Sequence, residues 1–277
     1  MVALATVLSM LKLIEMPYGG SVTLASMLPI IIIAYRYGMG VGLASGFTFA
    51  VIQQLLGLNN LSYVTGWQSV VAVILLDYVL AFTALGFAGI FRGRLSSVIK
   101  ENSKRQAAEL ATGAVFACFL RYLCHTFAGA TVWAGLSIPS SAALLYSIGY
   151  NATYMIPETI VSVLTAVYLG ARIDFTRPIP ERFSPSASLA GKKSAGTCEI
   201  FSHISALIAL FAVVFDTVLI APFLQDAETG AFSFDGLCDV KWWLVITATV
   251  LCALASAALL IARRRALRDK DSERSEQ

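Results

Sequence analysis

Charged side chains are scarce in this chain. Asp, Glu, Lys and Arg together make up 13% of its 277 residues, about half of the share that soluble domains carry. Hydrophobic residues make up 57%. A chain with so few charges cannot cover itself with a water-facing surface. The composition therefore excludes an ordinary soluble domain and predicts an integral membrane protein.

The residues of the common catalytic and metal centres are also few. His125 and His203 are the two histidines, and the five cysteines are scattered without a CxxC pair. This spacing argues against a zinc site or a disulfide framework. The sequence has no GxSxG, no HExxH and no Gly-rich phosphate-binding loop. We expect no enzymatic activity, no metal and no cofactor, and no ATPase in this chain.

Long hydrophobic runs fill most of the sequence. A helix needs about 20 apolar residues to cross a bilayer, and the first of the eight candidate segments is too short to do so. The segments are 2–14, 22–36, 38–57, 67–91, 106–135, 140–170, 199–223 and 241–262. We predict an all-α integral membrane protein, in which a six-helix bundle is followed by two additional C-terminal transmembrane helices.

A polar segment divides these helices into two groups. Residues 172–198 are rich in Pro, Ser and Lys, which is typical of a flexible linker. The linker separates a six-helix unit, 1–171, from a two-helix appendix, 199–264. The remaining residues, 265–277, alternate acidic and basic side chains and are predicted to be a disordered tail.

The distribution of Lys and Arg predicts the orientation in the membrane. If the eight segments alternate, the basic residues of 92–105, 172–193 and 263–274 fall on one face, and the opposite face receives only Lys241. Basic loops remain in the cytoplasm. We therefore expect a multi-pass protein of the plasma membrane with both termini cytoplasmic. The basic loops serve orientation and lipid contact, not nucleic-acid binding.

Polar residues inside the hydrophobic segments gather at one depth. Asp77 lies about 15 Å below the start of the fourth segment. The fifth segment runs the other way and carries His125 and Trp133 in its outer half, and the sixth carries Tyr146 and Asn151 in its first turns. Polar residues are costly in a bilayer, so such a group suggests function. A carboxylate with aromatic walls suits an organic cation.

The same residues also have structural explanations that involve no ligand. Asp77 could form a structural ion pair with Arg121, and Trp133 could be an interfacial anchor. Tyr150 is expected to pack. Glu158 lies two turns deeper than Asn151 and is expected to bond to a neighbouring helix.

Four ordered blocks of the sequence resemble the thiamine-binding S components of energy-coupling factor transporters, the ThiT family. The blocks are 16–57, 75–91, 121–135 (RYLCHTFAGATVWAG) and 146–158 (YSIGYNATYMIPE). The resemblance covers about residues 1–170. It implies a six-helix subunit that docks on a transmembrane subunit and two ATP-binding subunits.

The resemblance also implies roles for single residues. It suggests ligand contacts for Asp77, Tyr78, His125, Trp133, Tyr146 and Asn151. It implies that Glu15–Ser21 form a lid, in which Glu15, Tyr18, Gly19 and Gly20 are the candidate residues. It also implies that the small residues Ala5 and Ser9 dock on the partner subunit. The family's acid is often Glu, so Asp77 is one methylene shorter than expected.

Three functions remain open on the sequence alone. We expect an S component that captures thiamine outside the cell for ATP-driven uptake by its partner subunits. The same architecture could instead bind a thiamine precursor or another vitamin. A third possibility is a stand-alone proton-coupled carrier, whose relay would use Asp77, His125, Glu158 and Asp216.

Overall fold

The computed structural model confirms an all-α membrane protein. It describes residues 1–16, 19–64, 66–99, 101–133, 143–183 and 235–275, together with scattered positions between 204 and 223. In these residues five helices are long and apolar enough to cross a membrane: Met39–Leu56, Trp67–Phe91, Asn102–Thr131, Ala143–Gly170 and Trp242–Ala262.

Six helices build the bundle that carries the site. They are α1 (Val2–Met10), α2 (Leu28–Tyr37), α3 (Met39–Leu56), α4 (Trp67–Phe91), α5 (Asn102–Thr131) and α6 (Ala143–Gly170). The short α2 is the centre, since every residue from Leu28 to Tyr35 is buried. A helix that is apolar on all sides is stable only when other helices surround it. α3, α4 and α5 pack around α2, and α5 packs along α6.

The first two helices are shorter than the sequence predicted. α1 ends at Met10 and α2 begins at Leu28. An antiparallel hairpin lies between them, with strands β1 (Lys12–Glu15) and β2 (Ser21–Thr23). We call residues 12–23 the lid hairpin. Pro29 does not kink α2, because it occupies the first turn, where a missing N–H group costs nothing.

α4 changes its helical type along its length. It is α-helical over Trp67–Val73, a π-helix over Ile74–Leu80, briefly α-helical again, and a 3₁₀-helix over Ala84–Phe91. A π-helix has more residues per turn than an α-helix, and such segments are frequent at functional sites. Asp77 and Tyr78 lie inside this π-helical segment. Their side chains are therefore separated by a smaller angle around the helix axis than those of consecutive residues in an α-helix.

Two buried polar side chains organise the N-terminal end of α5. Gln106 donates to the carbonyls of Gly170 (2.9 Å) and Ile173 (2.5 Å) and accepts from the Phe175 N–H. Glu109 accepts from the Leu95 N–H and the Tyr35 hydroxyl, each at 3.1 Å. The two residues therefore fix the loops at this end, next to the short hairpin β3 (Ile173–Asp174) and β4 (Glu181–Arg182).

The last helix, α7 (Trp242–Ser275), corresponds to the eighth segment and is very different from the bundle. Only 6% of its span Trp242–Ala262 is buried within the chain, against 44% of the span in α5. Two of its polar side chains contact the seventh segment: Ser256 donates to the Ser205 carbonyl (3.0 Å) and Thr249 to the Asp216 carboxylate (2.5 Å).

The helix also continues where we expected a disordered tail. It passes Arg265 and ends at Ser275. The reason is local, because residues 265–275 contain no Pro or Gly and include Ala266, Leu267 and four basic residues, which favour helix. The predicted linker lies outside the described residues from position 184 onward, as does most of 199–223.

Candidate ligand-binding pocket

A cavity of about 490 Å³ lies under the lid hairpin, between α3, α4, α5 and α6. Pockets for small molecules typically measure about 300–1,000 Å³. All six predicted ligand residues line it: Asp77, Tyr78, His125, Trp133, Tyr146 and Asn151. So do Glu15, Gly19 and Gly20 of the predicted lid, while Tyr18 lies outside the described residues.

Asp77 joins two of these residues into one hydrogen-bonded group. One carboxylate oxygen lies 2.9 Å from His125 Nδ1, and the other accepts from the Trp133 indole N–H at 3.0 Å. The side chains of Asp77 and His125 are 16% and 11% exposed. We call Asp77, His125 and Trp133 the Asp–His–Trp group. It connects α4 with the C-terminal part of α5 and with Trp133, which follows that helix.

The group fixes the protonation pattern of the imidazole. A carboxylate only accepts hydrogen bonds, so Nδ1 of His125 must carry the proton. The second nitrogen, Nε2, is buried and has no hydrogen-bond partner among the described residues. A neutral imidazole therefore offers Nε2 as an acceptor. A buried acceptor of this kind favours a ligand that brings an N–H or O–H group.

The alternative ion pair between Asp77 and Arg121 is not formed. The Arg121 guanidinium lies over the Phe82 ring, 4.5 Å from its centroid, and Nη1 lies 3.0 Å from the Met27 sulfur. The Arg121 side chain also lines the cavity. The cavity thus holds an acid and a base that do not neutralise each other directly.

A polar stripe on α6 forms a second wall. Ser147, Asn151, Tyr154 and Glu158 are buried and recur at helical spacing. Asn151 donates to the Ser147 carbonyl at 2.8 Å and accepts from the Tyr154 hydroxyl at 2.6 Å. Sequence reasoning missed Tyr154, although the repeat of polar residues at positions 147, 151, 154 and 158 within an apolar segment could have revealed it.

Tyr146 and Asn151 both reach the cavity although they do not share a helical face. They are five residues apart, and the cavity is wide enough to be touched by two sides of α6. Tyr150, which we expected only to pack, lines the cavity too. Its ring is 5.7 Å from that of Tyr154, which in turn is 6.2 Å from the His125 ring. These rings make the wall aromatic.

Tyr78 is held by the segment that follows α3. Asn60 donates to the Tyr78 hydroxyl at 3.0 Å, and that hydroxyl lies 3.3 Å from the Gly57 carbonyl. Asn60 and Gly57 line the cavity and were missed from the sequence. They lie near a short 3₁₀-helix, Leu58–Tyr63, where no periodicity marks which side chains face inward.

The lid hairpin closes the cavity from above. Its turn hydrogen bond joins the Met16 N–H to the Gly20 carbonyl at 2.6 Å. Gly19 has φ +101°, a conformation that favours glycine. Gly20 is pressed against Tyr154, since a Cβ atom there would lie 2.8 Å from the ring. Glu15 is exposed and pairs with Lys12 at 2.5 Å.

The small pair in α1 makes contacts within the bundle. Ala5 is fully buried inside the bundle. Ser9 accepts a hydrogen bond from Gln53 at 2.7 Å and lines the cavity. Partner docking through Ala5 and Ser9 stays a prediction. Small residues permit close approach to any helix, and here the neighbour is α3 of the same chain.

The four residues of the suggested proton relay separate into three places. Asp77 contacts His125. Glu158 accepts from the backbone N–H of Thr23 at 2.5 Å and from its hydroxyl at 2.6 Å. Asp216 bonds to Thr249. Glu158 therefore bonds to strand β2, not to a neighbouring helix as predicted.

Within the described ranges no cluster of three or more His, Cys, Asp or Glu residues could hold a metal ion.

Comparison with known proteins gives a consistent result. Residues 1–175 match the family model described as "Thiamine transporter protein (Thia_YuaJ)". The chain is 31% identical over 172 residues to the thiamine transporter ThiT of Bacillus subtilis (strain 168), which covers 61% of this chain and 85% of that protein. It is 26% identical over 159 residues to ThiT of Lacticaseibacillus paracasei (strain ATCC 334), covering 57% and 72%.

The family match covers the whole six-helix bundle and ends before α7. The cavity, the lid hairpin and the Asp–His–Trp group all lie inside the matched residues. More than half of the chain is matched. The chain belongs to the thiamine transporter protein family.

Proposed function

We propose that this chain is the substrate-binding (S) component of an energy-coupling factor transporter, and that it binds thiamine for ATP-driven uptake. Its partners would be a transmembrane subunit and two ATP-binding subunits. Family membership supports the transport of thiamine, as do the names of the two relatives. The observation that carries the proposal is the Asp–His–Trp group inside a cavity of ligand size.

The cavity suits a ligand that has a cationic ring and a polar ring. The charge of Asp77 and the faces of Trp133 and the tyrosines would stabilise the thiazolium cation. A desolvated cation over an aromatic face contributes about 2 kcal/mol or more. The aminopyrimidine would donate to His125 Nε2, which needs a donor. Asn151 and Tyr146 would complete its polar surroundings.

The short acid acts largely through its neighbours. Both carboxylate oxygens of Asp77 already accept hydrogen bonds, from His125 and Trp133. Its charge attracts the cation through space, and its hydrogen bonds orient the imidazole and the indole. A glutamate would reach one methylene further into the cavity. This difference supports a mainly orienting role for Asp77.

Energy for uptake must come from other subunits. The sequence has no phosphate-binding loop, so this chain would supply recognition and its partners ATP hydrolysis. With the predicted orientation, the lid hairpin lies on the outer face of the plasma membrane and both termini are cytoplasmic. Thiamine would enter from outside, the hairpin would close over it, and release would occur inward.

Titration calorimetry of the detergent-purified chain with thiamine tests the proposal. We expect saturable one-to-one binding that is weakened by Asp77→Asn and unchanged by Asp174→Asn. Asp174 is the matched control, because its carboxylate bonds to Thr176 and Arg177 outside the cavity. The absence of saturable binding by the wild-type chain contradicts the proposal. Stronger binding of a neutral pyrimidine would assign the site to a precursor.

Uptake experiments separate the S component from a proton-coupled carrier. We expect thiamine uptake by cells expressing the chain to stop when cellular ATP is depleted and the proton gradient is kept. Co-purification of a membrane subunit and two ATP-binding subunits is the second expected result. Uptake that persists without ATP and stops with an uncoupler would assign the chain to the carrier class.

A further inference from the structure

Both carboxylate oxygens of Glu158 accept hydrogen bonds from Thr23 of the lid hairpin. Glu158 lies on α6 and is 1% exposed. One oxygen accepts from the Thr23 backbone N–H at 2.5 Å, and the other from the Thr23 hydroxyl at 2.6 Å. The two residues are 135 positions apart in the sequence. This pair therefore ties the base of the hairpin to the far side of the bundle.

The hydrogen bonds around Thr23 have one consistent direction. Ser26 Oγ lies 2.7 Å from Thr23 Oγ1. A hydroxyl has a single proton, and an ionised carboxylate can only accept. Thr23 therefore donates to Glu158, and Ser26 donates to Thr23. Both hydroxyls and both carboxylate oxygens are satisfied by this arrangement, which makes the anchor specific for the residue pair.

The two strands of the hairpin are held very differently. Strand β2 is buried at Val22 and Thr23, whereas strand β1 is exposed at Lys12, Leu13 and Glu15. The contacts of β1 at its outer side are a surface ion pair between Lys12 and Glu15, and such pairs add little stability. Met16 and Val22 pack into the core, and the buried hydrogen bonds that tie the hairpin to α6 are those of Thr23.

One face of α6 links this anchor to the cavity. Asn151, Tyr154 and Glu158 follow each other at helical spacing. Tyr154 donates to Asn151 at 2.6 Å, and the tip of the hairpin rests on the Tyr154 ring at Gly20. Glu158, one turn further, holds the hairpin base. The same face therefore meets the cavity, the tip of the lid and its base.

We propose that Glu158 is a positioning residue that holds the lid hairpin closed through Thr23 and thereby sets how long a ligand stays in the pocket. The inference rests on the proposed ligand pocket, but its role is separate from ligand contact. Both Glu158 oxygens are committed to Thr23, so the residue acts on the strand. Glu158 and Thr23 also line the cavity, and loss of the anchor opens the hairpin more often while the Asp–His–Trp group is unchanged.

Dissociation kinetics of thiamine, followed by tryptophan fluorescence, test the proposal. We expect Glu158→Gln and Thr23→Val each to raise the dissociation rate about tenfold, which corresponds to the loss of a hydrogen bond to a charged group. The association rate should change less than twofold. The double variant should be no faster than the faster single variant, because both changes remove one interaction.

Two further variants provide the controls. Thr23→Ser keeps the hydroxyl and should restore the wild-type dissociation rate. Thr165→Val makes the same substitution in α6 as Thr23→Val makes in the hairpin, but Thr165 only bonds to the Val161 carbonyl of its own helix. It should behave as wild type. A rise with Glu158→Gln but not with Thr23→Val would overturn the proposal and assign Glu158 to direct ligand contact.

Hydrogen exchange of the ligand-free protein tests the anchor without any ligand. We expect the amides of residues 12–23 to exchange about tenfold faster in Glu158→Gln and Thr23→Val, with α3 unchanged. Unchanged exchange in the hairpin of both variants would overturn the proposal. If the wild-type chain fails to bind thiamine, the proposed function falls, and the exchange result still decides the role of Glu158.

Discussion

The two ends of α5 bury polar side chains for different purposes. At its N-terminal end, Gln106 and Glu109 use their side-chain oxygens and nitrogen on loops and on α2. About 24 Å along the helix, Asp77 and His125 form a group that leaves His125 Nε2 without a partner among the described residues. This second end adjoins the cavity of about 490 Å³.

The difference shows how to separate a structural polar group from a binding one in a membrane protein. Burial alone does not decide, since Glu109 and Asp77 are both intramembrane acids. What decides is whether every polar atom has a partner from the chain. At the Gln106 end all hydrogen-bonding capacity goes to the fold. At the Asp77 end some capacity remains for a ligand. The predictions below test this contrast.

Asp77→Asn should have the largest effect on binding. Removal of the charge that orients His125 and attracts the cation is expected to weaken thiamine binding about a hundredfold, or about 3 kcal/mol. Thermal stability should change little. Calorimetry and a melting curve in detergent measure the two quantities. Unchanged affinity together with a lower melting temperature would place Asp77 with Gln106 among the structural residues.

Gln106→Met should have the opposite profile. It leaves the carbonyls of Gly170 and Ile173 and the N–H of Phe175 without their partner, which should cost about 3 kcal/mol of unfolding free energy. The thiamine affinity of the folded protein should be unchanged. Thr112→Val on the same helix is the control, since Thr112 only bonds within α5. A large loss of affinity in Gln106→Met would break the contrast.

Trp133→Phe should have a smaller effect than Asp77→Asn. It keeps an aromatic face for the cation and removes the indole N–H that donates to Asp77. We expect a loss of affinity of about fivefold, or about 1 kcal/mol. Trp133→Ala should lose more, because the cation–π contact goes as well. Equal losses in the two variants would show that the aromatic face contributes nothing.

Truncation after Phe183 should have the smallest effect. The family match ends at residue 175, and α7 is almost entirely exposed within the chain. Thiamine affinity of the truncated protein, measured by calorimetry, should stay within about twofold of the full chain. A tenfold loss would show that the C-terminal helices belong to the binding unit.

Much of the candidate site was predictable from residue types and depth. The sequence places Asp77, His125, Tyr146 and Asn151 at similar depth once the helix directions are known, and all four line the cavity. The partners inside the site were not predictable. Whether Asp77 bonds to Arg121 or to His125 depends on side-chain positions on α4 and α5, and a linear sequence does not contain those distances.

The lid is a second example. The Pro and Gly residues between the first two segments predict a turn, and a turn is present. The predicted segments 2–14 and 22–36 include most of the two hairpin strands, because Ile and Val fit an apolar helix and a strand equally well in so short a run. The contact of Thr23 with Glu158 then selects the strand, and it joins residues 135 positions apart.

The docking pair in α1 shows the same limit. Ala5 and Ser9 have the spacing of a helix–helix contact, and the structure uses them for such a contact within the chain. Small side chains indicate that another helix packs closely, but they do not indicate which helix. The identity of the neighbour is a property of the assembled bundle.

The sequence by itself determined that this is a multi-spanning membrane protein with a polar group in its bundle, because hydrophobicity and residue depth are local properties of the chain. Only the tertiary structure decided that Asp77 binds His125 and Trp133, that Arg121 stays apart from it, and that Glu158 holds the lid. These choices depend on distances of a few ångströms between separate helices, which are settled when the bundle packs.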